Sequence, residues 1–271
     1  MIRHAGVVGS PITHSLSPVL HRAAYEALGL QGWTFHRDEV ASGDLAAYVR
    51  NRTPDWVGLA VTMPLKEEAL RLADVAGEEA RLVGCANTLV RSGDGWRAEN
   101  TDVYGLMTAL REAGVTRPPT ATVVGSGATA RSALLALHLL GVERVQFLVR
   151  DRVRPGAVEL AERLGMAATA SRYADGPGQW PPAGLVVNTV PAGGTPPVEG
   201  WRHEAGAVVF DVVYAGWPTP WANDWASHHG VAVTRGDGML LHQAVRQVEL
   251  MTGRDAPVAA MTRALAGAVG R

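Results

Sequence analysis

The chain has 271 residues, 47 % of them hydrophobic, enough apolar material for one large core or two smaller ones. Charged residues make up 19 % and the net charge is −1, which argues against a surface for nucleic acid or another polyanion. A single cysteine, Cys85, excludes an intramolecular disulfide framework, the nine histidines lack metal-ligand spacing, and no apolar run reaches the ~20 residues of a bilayer span. With no signal-peptide pattern at the N-terminus, the expectation is a cytoplasmic protein without a metal, a membrane or a nucleic-acid partner.

Taken in chain order, apolar runs punctuated by glycine and proline outline the elements. Residues 5–8 predict a short buried strand, and 18–29 a helix ended by glycine. Residues 34–39 alternate as a strand, 43–50 read as helix, 57–61 as an apolar strand and 65–73 as helix. Residues 82–91 and 95–99 predict paired strands around the turn Ser92–Gly93–Asp94. A helix over 103–113 leads into 114–119, a stretch suited to connecting two domains. A second series of strands starts at 120–124 and continues through 145–149, 185–188 and 208–212, with helices over 131–140, 239–251 and 257–268. The fold class that follows is α/β: two α/β domains with mostly parallel sheets covered on both faces.

Only one of the 25 basic residues, Lys66, is a lysine. A guanidinium stays protonated at any working pH, whereas an ammonium gives up its proton when burial or a neighbour lowers its pKa. Lys66 is therefore the first candidate for proton transfer, against the plainer reading of one exposed helical side chain.

The segment Gly125-Ser126-Gly127-Ala128-Thr129-Ala130 follows a predicted strand and opens a helix. Gly125 permits a tight turn, Gly127 lets the backbone approach a pyrophosphate, and the small Ala130 allows close helix–strand packing, while the helix N-terminus attracts the anion. The next strand ends in Arg150, Asp151, Arg152 and Arg154. NAD binders place an acid near here for the ribose 2′-hydroxyl, whereas arginines suit a 2′-phosphate. Arg150 and Arg154 favour NADP. Asp151 leans the other way, towards NAD, and a solvated basic turn is the plain alternative.

Four polar clusters in the first half remain: Ser15-Leu-Ser17-Pro18, Val61-Thr62-Met-Pro-Leu-Lys66-Glu67, Asn87-Thr88 and Asn100-Thr101-Asp102. Each alone reads as a cap or a turn, with Ser17 as an N-cap before Pro18. In order, and continued by the glycine loop, Val187-Asn188-Thr189, Asp211-Val-Val-Tyr214, Thr219-Pro220 and Gly238-Met239-Leu-Leu-His-Gln243-Ala244, they resemble the shikimate dehydrogenase family over essentially the whole chain.

The resemblance implies a substrate-binding, catalytic domain of residues 1–102 plus 239–271, built on an open sheet, and a Rossmann-type NADP-binding domain of residues 103–238. It implies that Ser15, Ser17, Thr62 and Tyr214 hold a substrate carboxylate, that Asn87, Asp102 and Gln243 bind ring hydroxyls, and that Lys66 and Asp102 form the catalytic pair. Cofactor contacts are implied along Gly125–Ala130, at Arg150, Asp151 and Arg154, and at Thr189, Val213, Gly236 and Met239. The implied activity is reversible, NADP-dependent reduction of 3-dehydroshikimate to shikimate in aromatic amino-acid biosynthesis, by a monomer or homodimer. Oxidising a secondary alcohol requires removal of its hydroxyl proton as hydride leaves, and an ammonium beside a carboxylate meets that need. Lys66 either carries the proton itself or stays charged and stabilises the alkoxide, with Asp102 or water carrying it.

Three alternatives stand beside this reading: a quinate/shikimate dehydrogenase using NAD, a non-catalytic dinucleotide sensor, and a folate-linked dehydrogenase of similar build. The chain departs from the family pattern at Ala60, where asparagine is common, at Val103, where glycine is common, and at Asp151. Cys85 reads as a small core residue, and Trp217, Trp221 and Trp225 as one helix face rather than a cofactor stack. His14, His21 and His242 are assigned no chemistry.

Overall fold

The computed structural model, which describes residues 2–270, divides into two units, one running through Gly105 and resuming at Leu240, the other spanning Leu106–Met239. The first unit begins with β1 (Arg3–Gly9), α1 (Ser17–Ala27), β2 (Trp33–Glu39), α2 (Leu45–Arg50), β3 (Trp56–Val61) and α3 (Lys66–Leu72). It continues with β4 (Val75–Ala76), α4 (Glu78–Val83), β5 (Thr88–Ser92), β6 (Gly95–Glu99) and α5 (Asp102–Glu112), whose later turns belong to the second unit.

Its sheet runs β2-β1-β3-β5-β6-β4. The first three strands are parallel, but β5 is antiparallel to both β3 and β6, so the sheet is mixed. The apolar run at 82–91 is not one strand. Its first two residues close α4, which carries Glu78 and Glu79 in its first turn and Arg81 in its last, matching the helix dipole, and Gly84 ends it at φ +69°. Short apolar runs do not separate helix from strand by periodicity alone. Val8, Leu59, Val61, Leu65, Leu89 and Trp96 anchor the core beneath this sheet.

The second unit holds β7 (Thr120–Val124), α6 (Ala128–Leu139), β8 (Arg144–Val149), α7 (Pro155–Arg163), β9 (Ala167–Arg172), β10 (Ala183–Asn188), β11 (His203–Asp211), α8 (Pro220–His229) and β12 (Val233–Arg235). All six strands are parallel in the order β12-β11-β10-β7-β8-β9. Counted from β7, that is the 3-2-1-4-5-6 order of a doubly wound dinucleotide fold, reversing between β7 and β10. The stretch 114–119 lies within this unit, and the division between units falls inside α5 rather than there. Trp221 and Trp225 lie buried on α8 with Trp180 and Trp201 against them. Trp217 precedes that helix, which proline opens at residue 220, so it does not share their face. The chain ends with α9 (Asp237–Thr252) and α10 (Val258–Ala268), and α10 packs on α1.

His21 on α1 is wholly buried and stacks on Phe35 with ring centroids 4.0 Å apart. Burial drives its pKa down from 6.5 to about 4, against the opposing effect of the hydrogen bond it donates to Gln247 Oε1. The unfolded chain therefore binds a proton that the folded chain refuses. This contribution to stability is complete above pH 6.5 and is lost as pH falls towards 4, amounting to about 3 kcal/mol. The resistance of the wild type to urea should weaken steeply as pH falls from 7 to 4.5, and His21→Phe should flatten that dependence. An unchanged slope in the variant would assign the acid sensitivity elsewhere.

Candidate active site

In the first unit, register brings the polar clusters to one edge of the sheet. Val8 pairs with Val61, so the residues after β1 and after β3 emerge together. Gly9 is required there: a Cβ would lie 2.4 Å from the Thr62 side chain and 2.8 Å from the Met63 carbonyl oxygen. Because β5 runs antiparallel, its start, just after Asn87, lies at that same edge, opposite Glu99 at the end of β6. A short hairpin thus returns Asn100–Asp102 beside Asn87, next to the α3 terminus that carries Lys66.

The resulting network is dense. Lys66 Nζ donates to Asp102 Oδ2 at 2.6 Å, and the side chains are only 12 % and 6 % exposed. Asn87 Nδ2 donates to Asp102 Oδ1 and Thr101 Oγ1, each at 2.9 Å, and lies 3.3 Å from Gln243 Oε1. Asn87 Oδ1 accepts from the Thr101 amide at 2.7 Å and the Thr88 hydroxyl at 3.0 Å. Asn100 is the cap of α5, its Oδ1 accepting from the amides of Asp102 and Val103. The asparagine-before-helix signal was available for that role. Val103 lies in this helix, so the glycine common at its position is not needed for a positive φ.

Ser15 and Ser17 meet each other, but not as expected. Ser17 is the first residue of α1 and makes no cap. The Ser15 Oγ accepts from the Ser17 amide at 3.3 Å. Arg37 pins that turn, its Nη2 donating to the Ser15 carbonyl at 2.8 Å. Thr62 follows β3, and its carbonyl accepts from the Leu65 amide. Tyr214 is half-buried on the second unit.

In that unit the strand ends form a row, Leu148, Val124, Asn188, Asp211 and Arg235, in mutual register. Gly125, Arg150, Thr189, Val213 and Gly236 all follow it within two residues, at the carboxyl ends where open α/β sheets bind ligands. Gly125 has φ +101°, and a Cβ would stand 2.7 Å from Val190 Cγ1 and 2.8 Å from Thr189 Oγ1. A Cβ on Gly127 would meet nothing within 4 Å, which leaves the open approach a pyrophosphate needs before α6. Ala130 is fully buried, and Ser126 Oγ accepts from the Arg154 amide at 3.1 Å, tying the glycine loop to the basic turn. Arg150, Asp151 and Arg154 are exposed, while Ala128 and Thr129 form the first turn of α6 and Met239 is buried on α9. Gly236 is forced, since a Cβ would meet the Val212 carbonyl at 2.2 Å. These residues fit a dinucleotide.

One cluster carried the resemblance without being assigned a task. Asp211 accepts from Asn188 Nδ2 at 2.8 Å, from the Val213 amide at 3.0 Å and from Thr219 Oγ1 at 3.2 Å, while burial pushes its pKa up. It shapes the loop after β11, and Thr219 caps α8. Cys85 is buried, as a core residue would be. Among the described residues no helix is long and apolar enough to cross a membrane, and no group of three His, Cys, Asp or Glu side chains could hold a metal ion.

The model of the shikimate dehydrogenase substrate binding domain matches residues 7–89, and that of the shikimate 5′-dehydrogenase C-terminal domain matches residues 236–266. A shikimate dehydrogenase (NADP(+)) from Rhodopseudomonas palustris (strain TIE-1) is 37 % identical, covering 97 % of this chain and 95 % of its own. The crystal structure of Mycobacterium tuberculosis shikimate dehydrogenase aligns with a TM-score of 0.82 and 43 % identity over 98 % of this chain and 99 % of its own. The Listeria monocytogenes shikimate 5-dehydrogenase, crystallised with shikimate and NAD, aligns at 0.80 and 26 % identity over 97 % and 96 %. Fold, site and relatives together define an oxidoreductase acting on a CH–OH group. The chain belongs to the shikimate dehydrogenase family.

Proposed function

We propose that the protein is an NADP-dependent shikimate dehydrogenase, interconverting 3-dehydroshikimate and shikimate in aromatic amino-acid biosynthesis. The observation that carries the reading is the secluded Lys66–Asp102 pair, in direct contact and linked through Asn87 to Gln243. An ammonium and a carboxylate in hydrogen-bond contact can take the proton from a secondary hydroxyl and return it to an alkoxide. Neutral hydroxyls on Ser15, Ser17, Thr62 and Tyr214 would hold the substrate carboxylate, and Asn87 and Gln243, which now face each other, would turn to the ring hydroxyls. Bound NADP supplies the hydride acceptor for oxidation and the donor for reduction. The glycine loop 125–130, with Thr189, Val213, Gly236 and Met239, would hold it, and Arg150 and Arg154 would bind its 2′-phosphate beside Asp151. Its setting is the cytoplasm, as a monomer or homodimer acting on small molecules.

The test is a spectrophotometric assay of shikimate and quinate, each with NADP and with NAD. Preference for shikimate with NADP is expected. Turnover of quinate with NAD would replace the reading by the catabolic one, and binding without turnover would replace it by a sensor. Arg154→Gln should raise the Kd for NADP about tenfold and leave that for NAD within about twofold, since one charge-assisted phosphate contact is lost. Equal losses with both cofactors would remove Arg154 from phosphate recognition.

A further inference from the structure

Behind the site lies a second layer of polar side chains that none of the chemistry above uses. His21 stands one helical turn after Ser17 on α1, and Gln247 one turn after Gln243 on α9, each on the same face as the residue before it. The two meet: His21 Nε2 and Gln247 Oε1 are 3.3 Å apart, both side chains buried. Gln247 Nε2 donates to the Asn87 carbonyl at 3.2 Å and to Thr88 Oγ1 at 3.0 Å. Its oxygen therefore faces His21, so the imidazole carries its proton on Nε2 and accepts from the Tyr25 hydroxyl at Nδ1, 3.3 Å away.

Every donor in the chain then points the same way. Tyr25 donates to His21, His21 to Gln247, Gln247 to Thr88, Thr88 to the Asn87 oxygen, and the Asn87 nitrogen to Asp102. With Lys66 on the other oxygen of Asp102, the run ends at the proton-transfer pair.

We propose that Gln247, with His21 behind it, is a positioning residue for the reaction proposed above: it grips Asn87 by its carbonyl and, through Thr88, by its amide, so that Asn87 keeps Asp102 turned onto Lys66. The same contact ties the helix that begins at Ser17 to the helix that carries Gln243. The inference rests on the dehydrogenase reading and adds to it a residue that touches neither substrate nor cofactor.

The test compares full-length wild type, Gln247→Met, Thr88→Val, Thr88→Ser and the double variant Gln247→Met/Thr88→Val in shikimate oxidation with NADP, with shikimate binding measured by calorimetry. Methionine matches glutamine in length and makes no such bonds. In Gln247→Met kcat should fall about tenfold while the Kd for shikimate stays within about threefold, the split of a misaligned acid–base pair. Thr88→Val should lower kcat likewise, Thr88→Ser should restore it to within about twofold of wild type, and the double variant should be no worse than the poorer single. A wild-type kcat in Gln247→Met, with only the melting temperature lowered, would leave Gln247 a packing residue and overturn the inference. Losses that multiply in the double variant would overturn it too. Should Gln247→Met fail to fold, equal kcat in the two Thr88 variants decides against it. Wild-type protein inert towards shikimate would instead bring down the dehydrogenase reading itself.

Discussion

Lys66→Ala is expected to lower kcat about a thousandfold, within the range that positioned acid–base groups contribute, while shikimate binding stays measurable by calorimetry. The amine donates to Asp102 Oδ2 at 2.6 Å, and its loss removes the only lysine ammonium in the sequence. The fold should survive, because Asp102 keeps Asn87 on its other oxygen and its amide on Asn100. Lys66→Arg separates the two roles open to the residue. A guanidinium retains charge but does not release a proton at working pH, so a residue that only stabilises an alkoxide would keep much of its activity in that variant. A residue that carries the proton would not. Near-normal turnover in Lys66→Ala would end the catalytic assignment.

The second large effect is expected at Gly125. Gly125→Ala places a methyl group 2.7 Å from Val190 Cγ1 and 2.8 Å from Thr189 Oγ1, on a backbone at φ +101°. Strain of that kind costs about 1–3 kcal/mol before any contact is counted. The loop must shift, and with it the start of α6 and the Ser126–Arg154 tie. The Kd for NADP should rise about a hundredfold, a loss of about 2.7 kcal/mol. Shikimate binding, which we assign mainly to residues of the other unit, should change little. Tight NADP binding by Gly125→Ala would mean that the dinucleotide does not use this turn.

How much was legible beforehand depended on how local each constraint is. The glycine loop could be read because its requirements, a positive φ and small side chains, fall within six residues. Lys66 stood out as the solitary lysine, its pairing with Asp102 came only with the family resemblance, and the two meet. The grip of Asn87 on Thr101 and Asp102 was not legible, because an antiparallel hairpin creates it by folding fourteen and fifteen residues back on themselves. The strand β9, Ala-Ala-Thr-Ala-Ser-Arg, has neither alternation nor an apolar run; its pairing with β8 makes it a strand. Gln247 reads as an ordinary polar position on an amphipathic helix, and only its buried partners, more than 150 residues away, give it a role. Ser17 misled for the opposite reason. A serine before proline matches the cap pattern, yet the helix starts one residue earlier than that pattern implies.

The solitary lysine has a practical consequence. A protease that cuts after lysine has one site in the whole chain, at the mouth of α3, where the backbone is engaged in helix and the side chain is mostly covered. Resistance to such a protease would report the integrity of this one turn. Isotope-labelled lysine would likewise place a single ε-amine resonance in the spectrum, with no assignment needed. Its titration would read the charge on Lys66 directly, with and without shikimate, and so test whether this amine can carry the proton.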